Sequence, residues 1–241
     1  MIVWLASFPR SGNTFLRIIL NQFFGVGSFS LYDDRADIAA DSAFTELVGH
    51  RSHGWPLRDF VATARTAPEQ FFVKTHTKPE DTAKAIYLVR DGRAALVSYY
   101  HYRKDVAKEN VSLAQIVRGD VWGGRWSANV DAWVFSGRPN TLVLRFEDLI
   151  SHHAESLDAL ADFLQLKMVS KGKIDFCELN ALAPTFFRKG SNRLNTAELE
   201  AACPELFWSL HVKTMVRLGY VSSIPPGQIN PSAKRQSFSG A

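Results

Sequence analysis

Short, nearly uninterrupted apolar runs alternate with longer stretches of helical periodicity along most of the chain, and this alternation constrains the fold more than any other feature. The runs "IVWLAS" (Ile2–Ser7), "FFVK" (Phe71–Lys74), "AIYLV" (Ala85–Val89) and "TLVLR" (Thr141–Arg145) read as strands. Helical patterns fall at 12–24, 92–103, 113–117, 126–135, 153–164, 196–202 and 204–218. Over 156–166, apolar residues at 157, 160, 163, 164 and 166 trace one buried helical face. A strand that is apolar on both faces must be covered on both faces, which is the condition of a parallel sheet between two layers of helices. The expected class is therefore α/β, with three layers and a central parallel β-sheet carrying helices on both faces. Ligands of such sheets sit beyond the carboxyl ends of the strands, and Arg10, His76 and Arg90 all follow strand ends.

Hydrophobic residues make up 46% of the 241, enough for one substantial core, and a single domain is expected over 1–221. The stretch "SSIPPGQINPSAKRQSFSGA" (222–241) is rich in Pro, Ser and Gly and reads as a flexible tail. Residues 25–70 have weak periodicity and are expected to form loops or short helices, where a second substrate would be chosen. The net charge of +4 is spread over dispersed cations, among them Arg10, Arg17, Lys74, Arg90, Arg93, Arg188, Lys189 and Arg193. Dispersal suits one polyanionic small molecule touched from several loops; nucleic acid would call for clustered Lys and Arg. Cys177 and Cys203 have the spacing of neither a disulfide framework nor a zinc site, and no metal is expected. No apolar run approaches the ~20 residues of a membrane span, and no basic, cleavable leader is visible. The expected location is cytoplasmic.

Four segments carry chemistry. "LASFPRSGNT" (5–14) joins the first strand to the first helix through a turn rich in donors. A helix N-terminus offers unpaired backbone N–H groups and a positive dipole end, so this P-loop-like turn suits a phosphate. Gly12 permits close approach of an anion, and the Thr14 hydroxyl adds a donor. Aligned with the nucleotide-kinase pattern G-x-x-x-x-G-K-[ST], the chain has Ser7 for the first glycine and Asn13 for the lysine, with its cation at Arg10 instead. The plainer alternative is an ordinary strand-to-helix turn. In "FFVKTHTKP", Lys74 and His76 lie two apart in an extended segment and share a face. His76 is suited to general-base work near neutral pH, or else is a structural histidine. In "IYLVRDGRAALVSYYHY", Arg90 ends a strand where its guanidinium can fork onto a phosphate, with Ser98 eight residues on as a further donor. An Arg–Asp pair holding a turn is the simpler account of Arg90. "FFRKGSNR" sets Arg188, Lys189 and Gly190 beside aromatic residues, either as a phosphate clamp or as a solvated turn.

In this order the segments resemble the sulfotransferases that use 3′-phosphoadenosine 5′-phosphosulfate (PAPS). "SFPRSGNTFLR" looks like that family's 5′-phosphosulfate loop, "VKTHTKP" like the segment with its catalytic histidine, and "YLVRDGRAALVSYYHY" like its 3′-phosphate motif. "LVLRFEDL" is similar to the strand-loop that touches adenine, "FFRKG" to the late R-K-G clamp, and "GDVWGGRWSANVDAW" to a tryptophan-bearing helical segment. The motifs reach from residue 3 to 190.

The resemblance implies in-line transfer of a sulfonate from PAPS to a hydroxyl or amine acceptor, with 3′-phosphoadenosine 5′-phosphate (PAP) as the leaving product and no metal. It implies that the backbone N–H groups of Ser11, Gly12, Asn13 and Thr14 hold the 5′-phosphosulfate, with Arg10 as a further cofactor-binding residue. Arg90, Ser98, Arg188, Lys189 and Gly190 would hold the 3′-phosphate, and Phe15, Phe146 and Phe186 would lie near the adenine. His76 would take the acceptor's proton while Arg10 and Lys74 neutralise developing charge. The chain departs from the pattern in having Arg10 for the usual lysine, Phe15 for a tryptophan, Phe146 for a tyrosine, and "SNRLN" after the R-K-G. The acceptor is a small-molecule or glycan-type hydroxyl; Tyr32, Trp55, Trp122 and Trp126 suit a flat or sugar-like one, or else are packing. Two other readings stand beside this one. A P-loop kinase or NTPase would need lysine at 13 and a magnesium-holding aspartate at a strand end. A non-catalytic nucleotide-binding module would keep the fold without turnover.

Overall fold

The structure, a computed structural model, describes residues 1–32, 41–151, 153–170, 179 and 196–222. The chain divides into two compact units, Met1–Arg90 with Ala128–Leu194 and Asp91–Ser127 with Asn195–Ala241.

The first unit contains a five-stranded sheet. Its strands are β1 (Ile2–Ser7), β2 (Ser28–Ser30), β3 (Phe71–Thr75), β4 (Ala85–Val89) and β5 (Thr141–Arg145), in the order β2-β3-β1-β4-β5. Every pairing is parallel. Four of these strands coincide with the apolar runs of the sequence, β3 being one residue longer. β2 does not. Three residues are too few to show alternation, and the segment becomes a strand by pairing Ser28 with Phe72 and Ser30 with Lys74. Residues 25–70 also hold two short helices, α2 (Ser42–Val48) and α3 (Leu57–Thr66).

All six residues of β1 are buried, as a central parallel strand requires. On one face Val3, Leu5, Ile86 and Leu88 share a core with Leu16, Ile19 and Phe23 of α1 (Asn13–Phe24) and with Leu157, Leu160 and Leu164 of α8 (His153–Leu164). Alternation sends Tyr87 of β4 to the other face, where it stacks on Trp133 of α6 (Trp126–Val134) with ring centroids 5.8 Å apart. Phe60 of α3 closes over Phe29 and Phe71 on the β2–β3 side. A buried cation also serves this packing. Arg17 of α1 is fully enclosed; its Nε donates to Ser28 Oγ at 2.8 Å and its Nη2 to His50 Nδ1 at 2.8 Å. Arg17 and His50 are thus structural, tying α1 to β2. The short helix α7 (Phe146–Ser151) follows β5 directly.

The second unit is helical. α4 (Gly92–His101) runs on into one π-helical turn, Tyr102–Val106. α5 (Leu113–Arg118) starts on a Ser112–Gln115 capping box, and α9 (Ala197–Ala202) precedes α10 (Pro204–Arg217). Asp91 caps α4 by accepting from Arg93 N at 2.9 Å and pairs with the Arg93 guanidinium at 2.7 Å. His211 of α10 is buried among Trp126 and Phe207. Its Nε2–H donates to the Val117 carbonyl at 3.0 Å, so Nδ1 accepts from the Ser127 hydroxyl at 2.9 Å. The expected tail lies almost wholly outside the described residues.

Burial holds the His211 pKa down at about 4 against an ordinary 6.5. Above the unfolded value both states are neutral. As pH falls below it the unfolded chain takes up the proton first, and stability declines until the folded ring titrates. The shift corresponds to roughly 3 kcal/mol of stability lost between pH 6.5 and 4. Denaturant midpoints measured from pH 7 to 4 should therefore fall more steeply for the wild type than for His211→Gln, which has no proton to gain.

Candidate functional site

The carboxyl ends of β1, β3, β4 and β5 lie along one edge of the sheet, and each delivers part of the site. After β1 the chain turns tightly: Ser11 N donates to the Phe8 carbonyl at 3.2 Å, so that N–H is spent on the turn. Arg10 has φ +63° and Gly12 has φ +97°. A left-handed arginine costs about 1–2 kcal/mol, and this one has a partner that opposes the cost. Arg90, just past β4, donates from Nη1 to the Arg10 carbonyl at 3.0 Å. A hydrogen bond from a charged donor contributes about 1.5–3 kcal/mol, enough to hold the turn. The Arg90 guanidinium lies 4.7 Å over the ring of Phe146, and Phe146 meets Phe15 edge-on at 6.3 Å. These contacts bring Arg10, Gly12, Phe15, Arg90 and Phe146 near one another, with Phe15 buried in the core.

Gly12 begins α1 with no side-chain cap and no acidic residue in the first turn. Helix geometry leaves the leading N–H groups without intrahelical acceptors. Beside them the Ser11 hydroxyl is buried and has no hydrogen-bond partner among the described residues. An orphaned donor next to an uncapped helix N-terminus fits a phosphate or sulfate oxygen. Thr14 stands half-buried in the same first turn. Asn13 behaves differently from a kinase lysine. Its Nδ2 turns back into the sheet, donating to the Leu5 carbonyl at 2.9 Å and to Ser7 Oγ at 3.2 Å.

Across β1 from this loop, His76 follows β3. Its Nδ1 lies 2.9 Å from the Ser7 carbonyl and 3.3 Å from Ser7 Oγ. A carbonyl only accepts, so Nδ1 carries the proton of the neutral ring and the lone pair belongs to Nε2. The ring stacks on Tyr32 at 5.4 Å and 8°, and the His76 backbone N–H donates to the Tyr32 hydroxyl at 2.6 Å. Lys74 Nζ sits 5.7 Å from the centre of the same Tyr32 ring, so Tyr32 touches both Lys74 and His76. On the other side Asn129 Nδ2 donates to the His76 carbonyl at 2.9 Å, while Tyr87 donates to Asn129 Oδ1 at 2.8 Å and fixes that amide. Burial raises the Tyr87 pKa, keeping it a neutral donor. Trp133 Nε1 donates to the Thr77 carbonyl at 2.9 Å.

Other expectations fall elsewhere. Ser98 belongs to α4 in the second unit. Phe186, Arg188, Lys189 and Gly190 lie outside the described residues. Trp126 is fully buried packing, whereas Trp55 and Trp122 are 52% and 49% exposed. Among the described residues no group of three metal-ligating side chains gathers. Ser7, Tyr32 and Asn129 were not singled out as partners of the histidine. Ser7 at the kinase-glycine position and the Asn129–Trp133 helical spacing are the only sequence signals of that role, and neither identifies a partner.

A histidine with a fixed tautomer, a donor-rich loop and nearby cations stand at the carboxyl ends of the strands of an α/β phosphate-loop fold. Residues 2–180 match the family model of the sulfotransferase domain, and the chain belongs to that family. It is 27% identical over 180 residues to WSCD family member GA21586 of Drosophila pseudoobscura pseudoobscura, covering 68% of this chain and 51% of that protein. The chain thus spans about half the length of the curated relatives it matches first. Among solved structures it is similar to the mouse sulfotransferase SULT7A1 complexed with PAP, with a TM-score of 0.61 at 19% identity over 92% of this chain and 88% of that one. It is also similar to a retinol dehydratase in complex with androsterone and inactive cofactor PAP, with a TM-score of 0.59 at 20% identity over 90% and 80% of the two chains. These likenesses establish the P-loop-like α/β fold.

Gly12 is doubly required. A Cβ there would stand 2.3 Å from Phe146 Cδ2, in a backbone conformation that disfavours side chains. Gly12→Ala should cost about 1–3 kcal/mol, read as a lower thermal midpoint, and should displace Phe146, read as a changed chemical shift of its ring.

Proposed function

We propose that this chain is a PAPS-dependent sulfotransferase domain, acting as one catalytic domain over 1–221 in the cytoplasm on a small-molecule hydroxyl acceptor. The observation that carries this reading is the Nδ1–H of His76 held by the Ser7 carbonyl, which leaves the ring's lone pair on Nε2 in a residue level with the end of β1, where the phosphate-type loop begins. His76 takes the proton from the acceptor hydroxyl as its oxygen attacks sulfur. The bond from sulfur to the 5′-phosphate oxygen breaks in line, and PAP leaves. Arg10 and Lys74 neutralise the charge that moves onto that oxygen, which is electrostatic stabilisation of the kind used in phosphoryl transfer. An arginine at position 10 suffices because a phosphate leaving group is a weak base and needs no proton.

Ser11, Gly12 and Thr14, with the backbone N–H of Asn13, form the 5′ site, and the orphaned Ser11 hydroxyl and the uncapped helix start support it. The 3′-phosphate falls to Arg90, with Ser98, Arg188, Lys189 and Gly190 as its further ligands. Phe146, Phe15 and Phe186 form the adenine side. Tyr32, stacked against His76, is the acceptor-side residue with the strongest support. The kinase reading loses its two requirements. Asn13 is bonded into the sheet, and the Asp91 carboxylate is engaged by Arg93 rather than poised for magnesium.

PAP should bind in EDTA, and ATP with magnesium should not; the reverse result in calorimetry would overturn the reading. His76→Ala should abolish PAP release from PAPS across a panel of phenol, sterol and sugar acceptors while PAP affinity stays within a few fold. Surviving turnover would remove His76 as the base. Arg90→Ala should weaken PAP binding by about 2–3 kcal/mol, or roughly 30- to 150-fold.

A further inference from the structure

The geometry points to Asn13 as a positioning residue for His76, occupying the place of the kinase lysine and selecting, through Ser7, which ring nitrogen keeps the proton. The inference rests on reading His76 as the base. The hydrogen bonds form a continuous chain from the loop to the ring: Asn13 Nδ2 to the Leu5 carbonyl (2.9 Å) and to Ser7 Oγ (3.2 Å), Ser7 Oγ near His76 Nδ1 (3.3 Å), and Nδ1 to the Ser7 carbonyl (2.9 Å). The Leu5 carbonyl leaves no doubt about the amide's orientation, since its oxygen can only receive the NH2 group. Asn13 and Ser7 are both buried, so water does not substitute for either partner.

Ser7 is the pivot because it can act in two opposed ways on the same nitrogen. Its carbonyl accepts from Nδ1–H and leaves the lone pair on Nε2. Its hydroxyl, if turned to donate, would place its proton on the Nδ1 lone pair and move the ring proton to Nε2, where the ring is useless as a base. Asn13 Nδ2 anchors Ser7 Oγ at a position 3.3 Å from Nδ1, farther than the Ser7 carbonyl at 2.9 Å, so the hydroxyl is the weaker partner of that nitrogen. The same residue is the first of α1, whose N-terminus presents the anion site. Loop and base are therefore built on one hydrogen-bonded unit, and Asn13 serves a purpose that a lysine reaching toward phosphate could not.

The test is the ring-nitrogen NMR of 15N-histidine-labelled protein saturated with PAP, beside calorimetry of PAP itself. Wild type should show His76 with Nδ1 protonated. Asn13→Ala should shift the tautomer ratio toward Nε2–H about tenfold, the scale of one hydrogen bond, with PAP affinity within threefold. The double variant Asn13→Ala/Ser7→Ala removes the competing hydroxyl and should restore the wild-type tautomer, a rescue that a general loss of structure would not give. If Asn13→Ala does not fold, Asn13→Ser, too short to reach Ser7 Oγ, reads the same quantity. An unchanged tautomer, or a double variant that fails to restore it, overturns the inference. So does a tenfold or greater loss of PAP affinity with the ring unaltered, which would make Asn13 a phosphate ligand. The base assignment fails separately: if the tautomer moves as expected but His76→Ala still releases PAP, the network stands and the base lies elsewhere.

Discussion

The parallel pairing of β1 with β3 on one side and β4 on the other is the constraint on which the site depends. The register that sets Leu5 beside Lys74 and Ala6 beside Thr75 brings Ser7 level with His76. The register that sets Ser7 beside Leu88 brings the loop after β1 level with Arg90. Side chains alternate along a strand, so a slip of one residue would exchange the two faces of the sheet. Tyr87 would leave Asn129, and the brace on the His76 carbonyl would go with it. Because β1 is central and buried along its whole length, such a slip would also expose its apolar residues, and the register is strongly determined.

Around this frame the polar groups are held in pairs that balance their costs. Arg10 adopts a left-handed backbone against a hydrogen bond from Arg90, and Arg90 itself is steadied on the face of Phe146. His76 is gripped at its backbone N–H by Tyr32, at its carbonyl by Asn129 and at Nδ1 by Ser7. Two of these holds are on the backbone and one is on the ring, and with the stacking on Tyr32 they fix the orientation of the imidazole. Ser11 Oγ contrasts with all of these, being buried with no hydrogen-bond partner among the described residues.

Much of this was legible in the chain itself. The four long strands were visible because each is a continuous apolar run, the signature of burial on both faces. The histidine, the loop and Arg90 were visible because each follows such a run. β2 was not, since its three residues acquire extended structure only from their neighbour. Arg17 illustrates the opposite error of scale: counted among cations suited to a polyanion, it is buried and bonded to Ser28 and His50. Asn13 is expected to offer its backbone N–H to the phosphate; its side chain faces β1 because two acceptors, Leu5 O and Ser7 Oγ, lie within its reach.

What the sequence by itself determined is the layer architecture and the positions of the polar groups that follow strand ends, because periodicity and residue type act locally. Which of those groups meet was decided only by the tertiary structure. Ser7 and His76 are 69 residues apart, Arg90 and Arg10 are 80 apart, and Tyr32 lies 44 from the histidine it stacks on. Contacts over such separations follow from strand order, and strand order comes from packing the whole sheet at once.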